Sequence, residues 1–211
     1  MSSSEVSHPL FARFYTRFSG YMEREVGRYR AEIVEGLDGR VLEIGAGNGM
    51  NFAHYGDGID EVVALEPESY MRSQARIKAE TAKPKISVVD GNATDLPFED
   101  DSFDHVVICM VMCSIDDPAR ALSEARRVVK ADGSVRFLEH VRSPKRSKAR
   151  VQSLLDRSRI WPSLAGGCHC SRDTVGEMEQ AGFRITLLKG FDVGPKWGHT
   201  NPHVIGRATP R

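Results

Sequence analysis

The sequence predicts an α/β fold built on a single doubly wound, mainly parallel sheet of seven strands, and three observations carry that prediction. Short apolar runs alternate with helical patterns from residue 38 onward. The first run ends in a glycine-rich turn, "VLEIGAGNG" at 41–49, the kind of connection that opens a nucleotide-binding βα unit. The 211 residues are enough for one such domain with a full core.

The elements follow in order. Leu10, Phe14, Phe18, Val26, Tyr29, Ile33 and Leu37 recur at near-helical spacing, which predicts helix over 8–37. Gly20 and Gly27 suggest a break there, or two shorter helices. "GRVLEIGAG" reads as the first strand and its turn, and "NGMNFAHYG" as the opening of a helix. "EVVALEP" is a second strand, "ESYMRSQARIKAE" a helix, "KISVVDG" a third strand and "FDHVVICMV" a fourth. "DDPARALSEARRVVK" is a helix that Asp116 or Asp117 caps, with Pro118 in its first turn. "GSVRFLEHV" is a fifth strand, "SKARVQSLLDRS" and "RDTVGEMEQAGF" are helices, and "RITLLKGF" and "HVIGRA" are the last two strands.

Composition narrows the function. Forty per cent of the residues are hydrophobic, and Lys+Arg equal Asp+Glu at 29 each, so nothing in the charge calls for a nucleic-acid partner. No apolar run nears the roughly 18 residues of a membrane span. "MSSSEVSHPLFARF" lacks a secretory pattern, and the expected location is cytoplasmic. Cys109, Cys113, Cys168 and Cys170 read as reduced thiols in a core or pocket, not as a disulfide framework. "GCHC" at 167–170 puts Cys, His and Cys in consecutive positions, which suits zinc geometry poorly, so no metal site is expected. The basic run "RSPKRSKAR" at 142–150 reads as solvated surface. Neither an internal repeat nor a linker composition divides the chain.

The glycine turn identifies its ligand by what it lacks and what it adds. A dinucleotide fingerprint counted from Gly45 needs a glycine at position 50, which is Met50. Glu43 stands two residues before that first glycine, where a carboxylate repels a pyrophosphate and welcomes a cation. S-adenosylmethionine carries an ammonium and a sulfonium and has no phosphate. Glu66 ends the second strand, where a carboxylate accepts both hydroxyls of a ribose. "VVDGNATDLPF" follows the third strand, where a polar side chain meets the adenine.

At these residues the chain resembles the class I methyltransferases, over 38–140. "VLEIGAGNG" is similar to their first motif, "ALEP" to their second-strand acid, "DGNATDLPFEDDSFDHVV" to the next two blocks, and "ALSEARRVVKADGSVRFLEH" to their following helix and fifth strand. The resemblance implies a Rossmann-like fold and cofactor contacts at Glu43, Gly45, Ala46, Gly47, Asn48, Gly49, Glu66, Pro67, Met71, Gly91, Asn92, Ala93, Cys109, Met110 and Val111. Asn92 stands where the family usually has Asp, and it keeps an acceptor oxygen for the adenine amine. "FLEHVRS", "GGCHCSRDT" and "NPHVIGRA" resemble the methyltransferase-like-7 group and its bacterial relatives, whose mammalian members are thiol S-methyltransferases. Those members carry an N-terminal hydrophobic membrane segment; "MSSSEVSHPLFARF" shows no such pattern, so membrane attachment is not expected here, and their second-strand acid is Asp where this chain has Glu66. The implied division is one domain: a helical lid over 1–37, a cofactor-binding core over 38–140, and acceptor-pocket helices with the final strand pair over 141–211.

A thiol acceptor reacts as its thiolate, so a base or cation near it helps. His140 ends the fifth strand at the ligand edge and is the first candidate base; the alternative is a histidine that bonds the strand-end backbone. Glu139 points the opposite way. His169 is the second candidate, or else a loop residue that caps the following helix or faces water. Arg172 either holds an anionic substrate group or makes a surface salt bridge. Phe11, Phe14, Tyr15 and Phe18 either line an acceptor pocket under a lid or simply pack their helix onto the sheet, and His203 reads as structural. The cysteines carry lesser readings as methyl acceptor, arsenic ligands or a redox pair. The resulting expectation is a methyltransferase acting on a small-molecule thiol. Its rivals are an O-, N- or C-methyltransferase of a quinone precursor or natural product, a non-catalytic cofactor-binding protein, and a nicotinamide enzyme.

Overall fold

The structure, a computed structural model, describes residues 9–194, 198, 199 and 202–211, excepting the Met22 side chain. Its seven strands are β1 (Gly39–Ile44), β2 (Ile59–Leu65), β3 (Ile86–Val89), β4 (Phe103–Cys109), β5 (Val129–His140), β6 (Phe183–Asp192) and β7 (Pro202–Pro210). The helices are α1 (Pro9–Val34), α2 (Ser69–Ala79), α3 (Pro118–Val128), α4 (Arg146–Arg157), α5 (Ile160–Leu164) and α6 (Thr174–Gln180).

The strands lie in the order β3-β2-β1-β4-β5-β7-β6. β1 pairs in parallel with both β2 and β4, so the chain order reverses between β1 and β4. A doubly wound sheet opens a ligand crevice at that reversal, beyond the strands' carboxyl ends. The sheet is mixed at one side, where β7 runs antiparallel to both β5 and β6. Alternation along β1 sends Leu42 and Ile44 to one face, where they pack with Val106, Ile108, Leu122 and Phe137. Val41 faces the other way, against Val26, Tyr29, Ile33 and Val34 of α1.

The helix ends follow local chemistry. Asp117 caps α3 by accepting from the Arg120 N–H at 3.0 Å, with Pro118 in the first turn as expected. Glu68 caps α2 through the Met71 N–H, and Asp173 caps α6 through the Gly176 N–H.

Three expectations are corrected. α1 is one unbroken helix of 26 residues that runs through Gly20 and Gly27. A Cβ at Gly27 would come within 2.5 Å of a Glu23 carboxylate oxygen, the mobile end of a side chain that can shift aside. The packing of α1 onto the sheet outweighs a cost of about 1 kcal/mol per glycine. Residue 8, the expected start of this helix, lies outside the described residues. Next, the helix expected after the glycine turn is only a short 3-10 turn, Phe52–His54. Asn51, Phe52 and Tyr55 are buried there, and that anchoring leaves no free length for a helix before Gly56. Finally, α5 was not foreseen: at five residues it is too short to show a period, and it starts after Arg159 in a left-handed conformation (φ 58°).

Candidate functional site

The turn after β1 is built for close approach. Gly45, Gly47 and Gly49 take φ of 68°, 56° and 74°, conformations that side chains other than glycine rarely adopt. Gly45 and Ala46 donate to the Leu65 carbonyl at 2.9 and 3.0 Å, which stitches the turn to the end of β2. A Cβ on Gly45 would strike Val111 at 2.6 Å, and one on Gly49 would strike the Phe52 ring at 2.8 Å. A Cβ on Gly47 would meet nothing closer than the Met71 sulfur at 3.9 Å, so the space beside this glycine is open.

Glu66 closes the turn from the β2 side. One carboxylate oxygen accepts from the Gly47 N–H at 2.8 Å and the other from the Glu68 N–H at 2.9 Å. Each oxygen keeps a second lone pair. Burial pushes the carboxyl above its usual range, and these two backbone donors work against that shift. Behind it, Arg72 donates to the carbonyls of Glu66 and Pro67, both at 2.8 Å.

Glu43 lies under the turn and is enclosed, at 1% exposure. Its oxygens accept from Asn51 Nδ2 and from the Tyr55 hydroxyl, each at 2.8 Å. Burial raises its pKa to about 7 against the pull of Tyr55, Asn51 and Arg30. The expectation of a carboxylate facing an incoming cation is therefore corrected, because both oxygens turn inward. Sequence reasoning also missed Arg30. This guanidinium, 6% exposed, donates to Asn51 Oδ1 at 2.9 Å and Cys109 Sγ at 3.1 Å, and its Nε lies 3.2 Å from Glu23. A signal existed, since Arg30 sits within the apolar stripe of Val26, Ile33, Val34 and Leu37. The Cys109 thiol, buried beside it, is pushed up to about 11.

The loop after β3 brings a second correction. Asn92 Oδ1 accepts from the backbone N–H and the hydroxyl of Thr94, both at 3.0 Å. The backbone donor fixes which end of the amide is oxygen, so the group left for a ligand is the NH₂, a donor. Gly91 packs on Leu65, and Ala93 is buried in the core beside it.

After β4 the chain turns at Met110, which has φ 61° without being glycine. Strain of this kind collects at functional sites. The Met110 N–H donates to the Leu138 carbonyl at 2.7 Å, while Glu139 accepts from the N–H groups of Val111 (2.8 Å) and Met112 (3.1 Å). Glu139 thus secures this loop on the face opposite His140, as the strand alternation predicts.

His140 turns toward the chain after α5. Its Nε2 lies 3.0 Å from Cys168 Sγ, and the residue is 2% exposed. The Cys113 thiol beside it and burial hold the Cys168 thiol far above its ordinary range. Cys113, His140 and Cys168 present ligand atoms that all lie within 4.8 Å of one another. The consecutive Cys-His-Cys does not act as a unit. His169, the second candidate base, is half-buried and is tied in through its backbone N–H, which donates to the Cys113 carbonyl at 2.7 Å. Cys170 turns away to Asp156. His203 sits opposite His140 in the β5–β7 pairing and stacks on Phe191.

Two of the four expected acceptor-pocket aromatics face inward. Phe11 lies against Gly166, where a Cβ would come within 2.5 Å of its ring. Tyr15 is partly buried next to Arg30, and burial raises its phenol pKa. Phe14 and Phe18 are corrected: their rings meet at a tilt, centroids 4.5 Å apart, on the outer side of α1, at 61% and 51% exposure. The helical repeat turns that side away from the sheet. Arg172 makes an internal contact, with Nη2 2.6 Å from the Ile115 carbonyl, and its Nη1 is buried with no hydrogen-bond partner among the described residues.

A family model described as "Methyltransferase domain" matches residues 42–137. The thiol S-methyltransferase TMT1B of Rattus norvegicus is 32% identical over 174 residues, 80% of this chain and 69% of that protein. The chain belongs to the class I S-adenosylmethionine-dependent methyltransferases.

The human thiol S-methyltransferase TMT1A is 27% identical to this methyltransferase over 210 residues, 94% of this chain and 85% of that protein. In fold, the methyltransferase resembles an S-adenosylmethionine-dependent methyltransferase from Mesorhizobium loti, with a TM-score of 0.64, 17% identity, and coverage of 88% of this chain and 97% of that one. Among its described residues no helix is long and apolar enough to cross a membrane.

The cofactor of this methyltransferase is S-adenosylmethionine, and the switch point fits it. Open space lies beside Gly47, Glu66 has lone pairs to spare, and the buried Asn48 Oδ1 has no partner among the described residues. Replacing Gly47 by alanine is expected to weaken cofactor binding about tenfold, because a Cβ both strains the left-handed turn and enters that space. Calorimetry checks this, and an unchanged affinity would mean that the ligand does not approach Gly47.

Proposed function

We propose that this methyltransferase methylates the thiol of a small molecule. The observation that carries the reading is its 32% identity to a thiol S-methyltransferase across 80% of the chain. When bound, S-adenosylmethionine supplies an electrophilic methyl group on a sulfonium. Around that site Glu66 accepts from the ribose hydroxyls, the Asn92 NH₂ donates to the adenine ring, and Arg30 balances the carboxylate at the methionyl end. Phe11 and Tyr15 wall the acceptor side and exclude water. The unpartnered Arg172 Nη1 offers a donor to an anionic group on the acceptor.

His140 takes the thiol proton. Cys168 supports this assignment, because its own sulfur already rests 3.0 Å from Nε2. A free thiol with a pKa near 8.5 is a few per cent ionised at neutral pH, so a base gains about tenfold. Replacing His140 by alanine is accordingly expected to lower turnover about tenfold near pH 7, with cofactor affinity unchanged. The loss should shrink above the acceptor's own pKa, where the thiolate forms unaided. A loss that stays constant from pH 7 to pH 9.5 would refute the assignment.

The acceptor is tested by incubating the enzyme and S-adenosylmethionine with a panel of thiols, phenols, quinols and amines. Methyl thioethers are the expected products. Turnover of another class with no thioether from any thiol would replace this reading with one of the O-, N- or C-methylating alternatives.

A further inference from the structure

We propose that Cys113, His140 and Cys168 form a binding site for one soft divalent cation, zinc in the first instance, and that its occupancy switches methyl transfer off. The switching rests on the reading of His140 given above; the binding does not.

The three donors come from separate parts of the chain. Cys113 lies in the 3-10 turn after β4, His140 ends β5, and Cys168 lies between α5 and α6. Their ligand atoms lie within 4.8 Å of one another, with His140 Nε2 and Cys168 Sγ at 3.0 Å. A tetrahedral zinc with bonds of about 2.0–2.3 Å holds its donors under 4 Å apart, which small side-chain rotations reach here. The backbone already fixes the frame: the His169 N–H is bonded to the Cys113 carbonyl at 2.7 Å, and Glu139 holds the Met112 N–H at 3.1 Å.

The chemistry of the donors selects the ion. Two sulfurs and one imidazole suit a soft or borderline metal and not magnesium or calcium, which take oxygen. Two thiolates and a neutral imidazole cancel a double positive charge. That matters where Cys113 is 3% and His140 2% exposed, since an uncompensated buried charge is costly. A trivalent arsenical would want a third sulfur, but Cys170 is turned to Asp156 and to the Gln152 carbonyl. Three protein donors leave zinc one further position, which water fills. The expectation of no metal site is thus revised for Cys168, which joins Cys113 and His140 instead of its neighbours in the sequence.

Zinc at this site uses the His140 Nε2 lone pair, so the imidazole no longer accepts a proton. The test uses the reduced, full-length protein titrated with cobalt(II) in place of zinc. The expected result is thiolate-to-cobalt charge transfer together with intense tetrahedral bands that saturate at one equivalent and vanish when zinc is added. Cys113→Ser and Cys168→Ser should each weaken zinc binding by about a hundredfold or more, with folding followed by circular dichroism. One equivalent of zinc should suppress turnover, a chelator should restore it, and whatever turnover Cys113→Ser retains should not fall when zinc is added. No saturation at one equivalent, or identical spectra for Cys113→Ser, overturns the site. A Cys113–Cys168 disulfide that forms in place of metal binding does the same. Stoichiometric zinc with undiminished turnover overturns the switching and the proton role of His140, while thioether formation in the panel above still stands or falls separately.

Discussion

Replacing Glu66 by alanine is expected to weaken S-adenosylmethionine binding by about a hundredfold. The carboxylate accepts two backbone N–H groups, from Gly47 and Glu68, in a place where Glu66 itself is 6% exposed. Alanine leaves both donors without their acceptor and removes the groups proposed to meet the ribose hydroxyls. At about 1–1.5 kcal/mol for each of the two hydroxyl bonds lost, the total is about 2–3 kcal/mol, or up to roughly two decades in affinity. Glu66→Asp should fall between the two, because the shorter side chain cannot span the same pair of donors. Calorimetric titration with S-adenosylmethionine measures the loss, and acceptor KM at saturating cofactor should move far less. A cofactor affinity equal to that of the wild type would remove Glu66 from the ribose site.

Replacing Glu43 by glutamine is expected to raise stability, and only above mildly acidic pH. Burial lifts the pKa of this carboxyl from 4.5 to about 7. Well below pH 4.5 it is protonated in both the folded and the unfolded chain, so it contributes no difference. Between pH 4.5 and 7 the unfolded chain gives up the proton first, and the native state loses stability as pH rises. Above pH 7 the deficit is constant, on the order of 3 kcal/mol. Glutamine carries no such penalty: its oxygen still accepts from Asn51, and the Tyr55 hydroxyl rotates to accept from its NH₂. Denaturant unfolding at pH 4 and pH 8 should therefore show a variant that matches the wild type at the lower pH and exceeds it at the higher one. An equal difference at both values would mean that Glu43 ionises as freely as a surface acid.

The parts of the fold that local chemistry dictates were legible in the sequence. The apolar runs of β1, β2, β4 and β5, the Asp117–Pro118 start of α3 and the glycine turn each show in a few adjacent residues. The glycines of α1 misled, because a helix packed along its length tolerates propensities that would break it alone. Gly47 and Glu66, both singled out in the sequence, meet across a single βαβ unit, so their contact falls within one motif. The site was opaque where the fold joins distant segments. Cys168 and His140 are 28 residues apart, and neither position announces the other. Asn92 was recognised as a ligand-edge residue, but only the Thr94 contacts reveal that its oxygen is spent.

The placing of β7 between β5 and β6 has a consequence for synthesis of the protein. β6 reaches the sheet only through β7, which is made after it. Until residues 202–210 leave the ribosome, β5 presents a long unpaired edge carrying Phe137 and Leu138, and β6 has no place to dock. Such an edge is a template for joining a neighbouring nascent chain. A translational pause just upstream of residue 202 would hold the molecule in its most aggregation-prone form, and chaperone engagement should concentrate there.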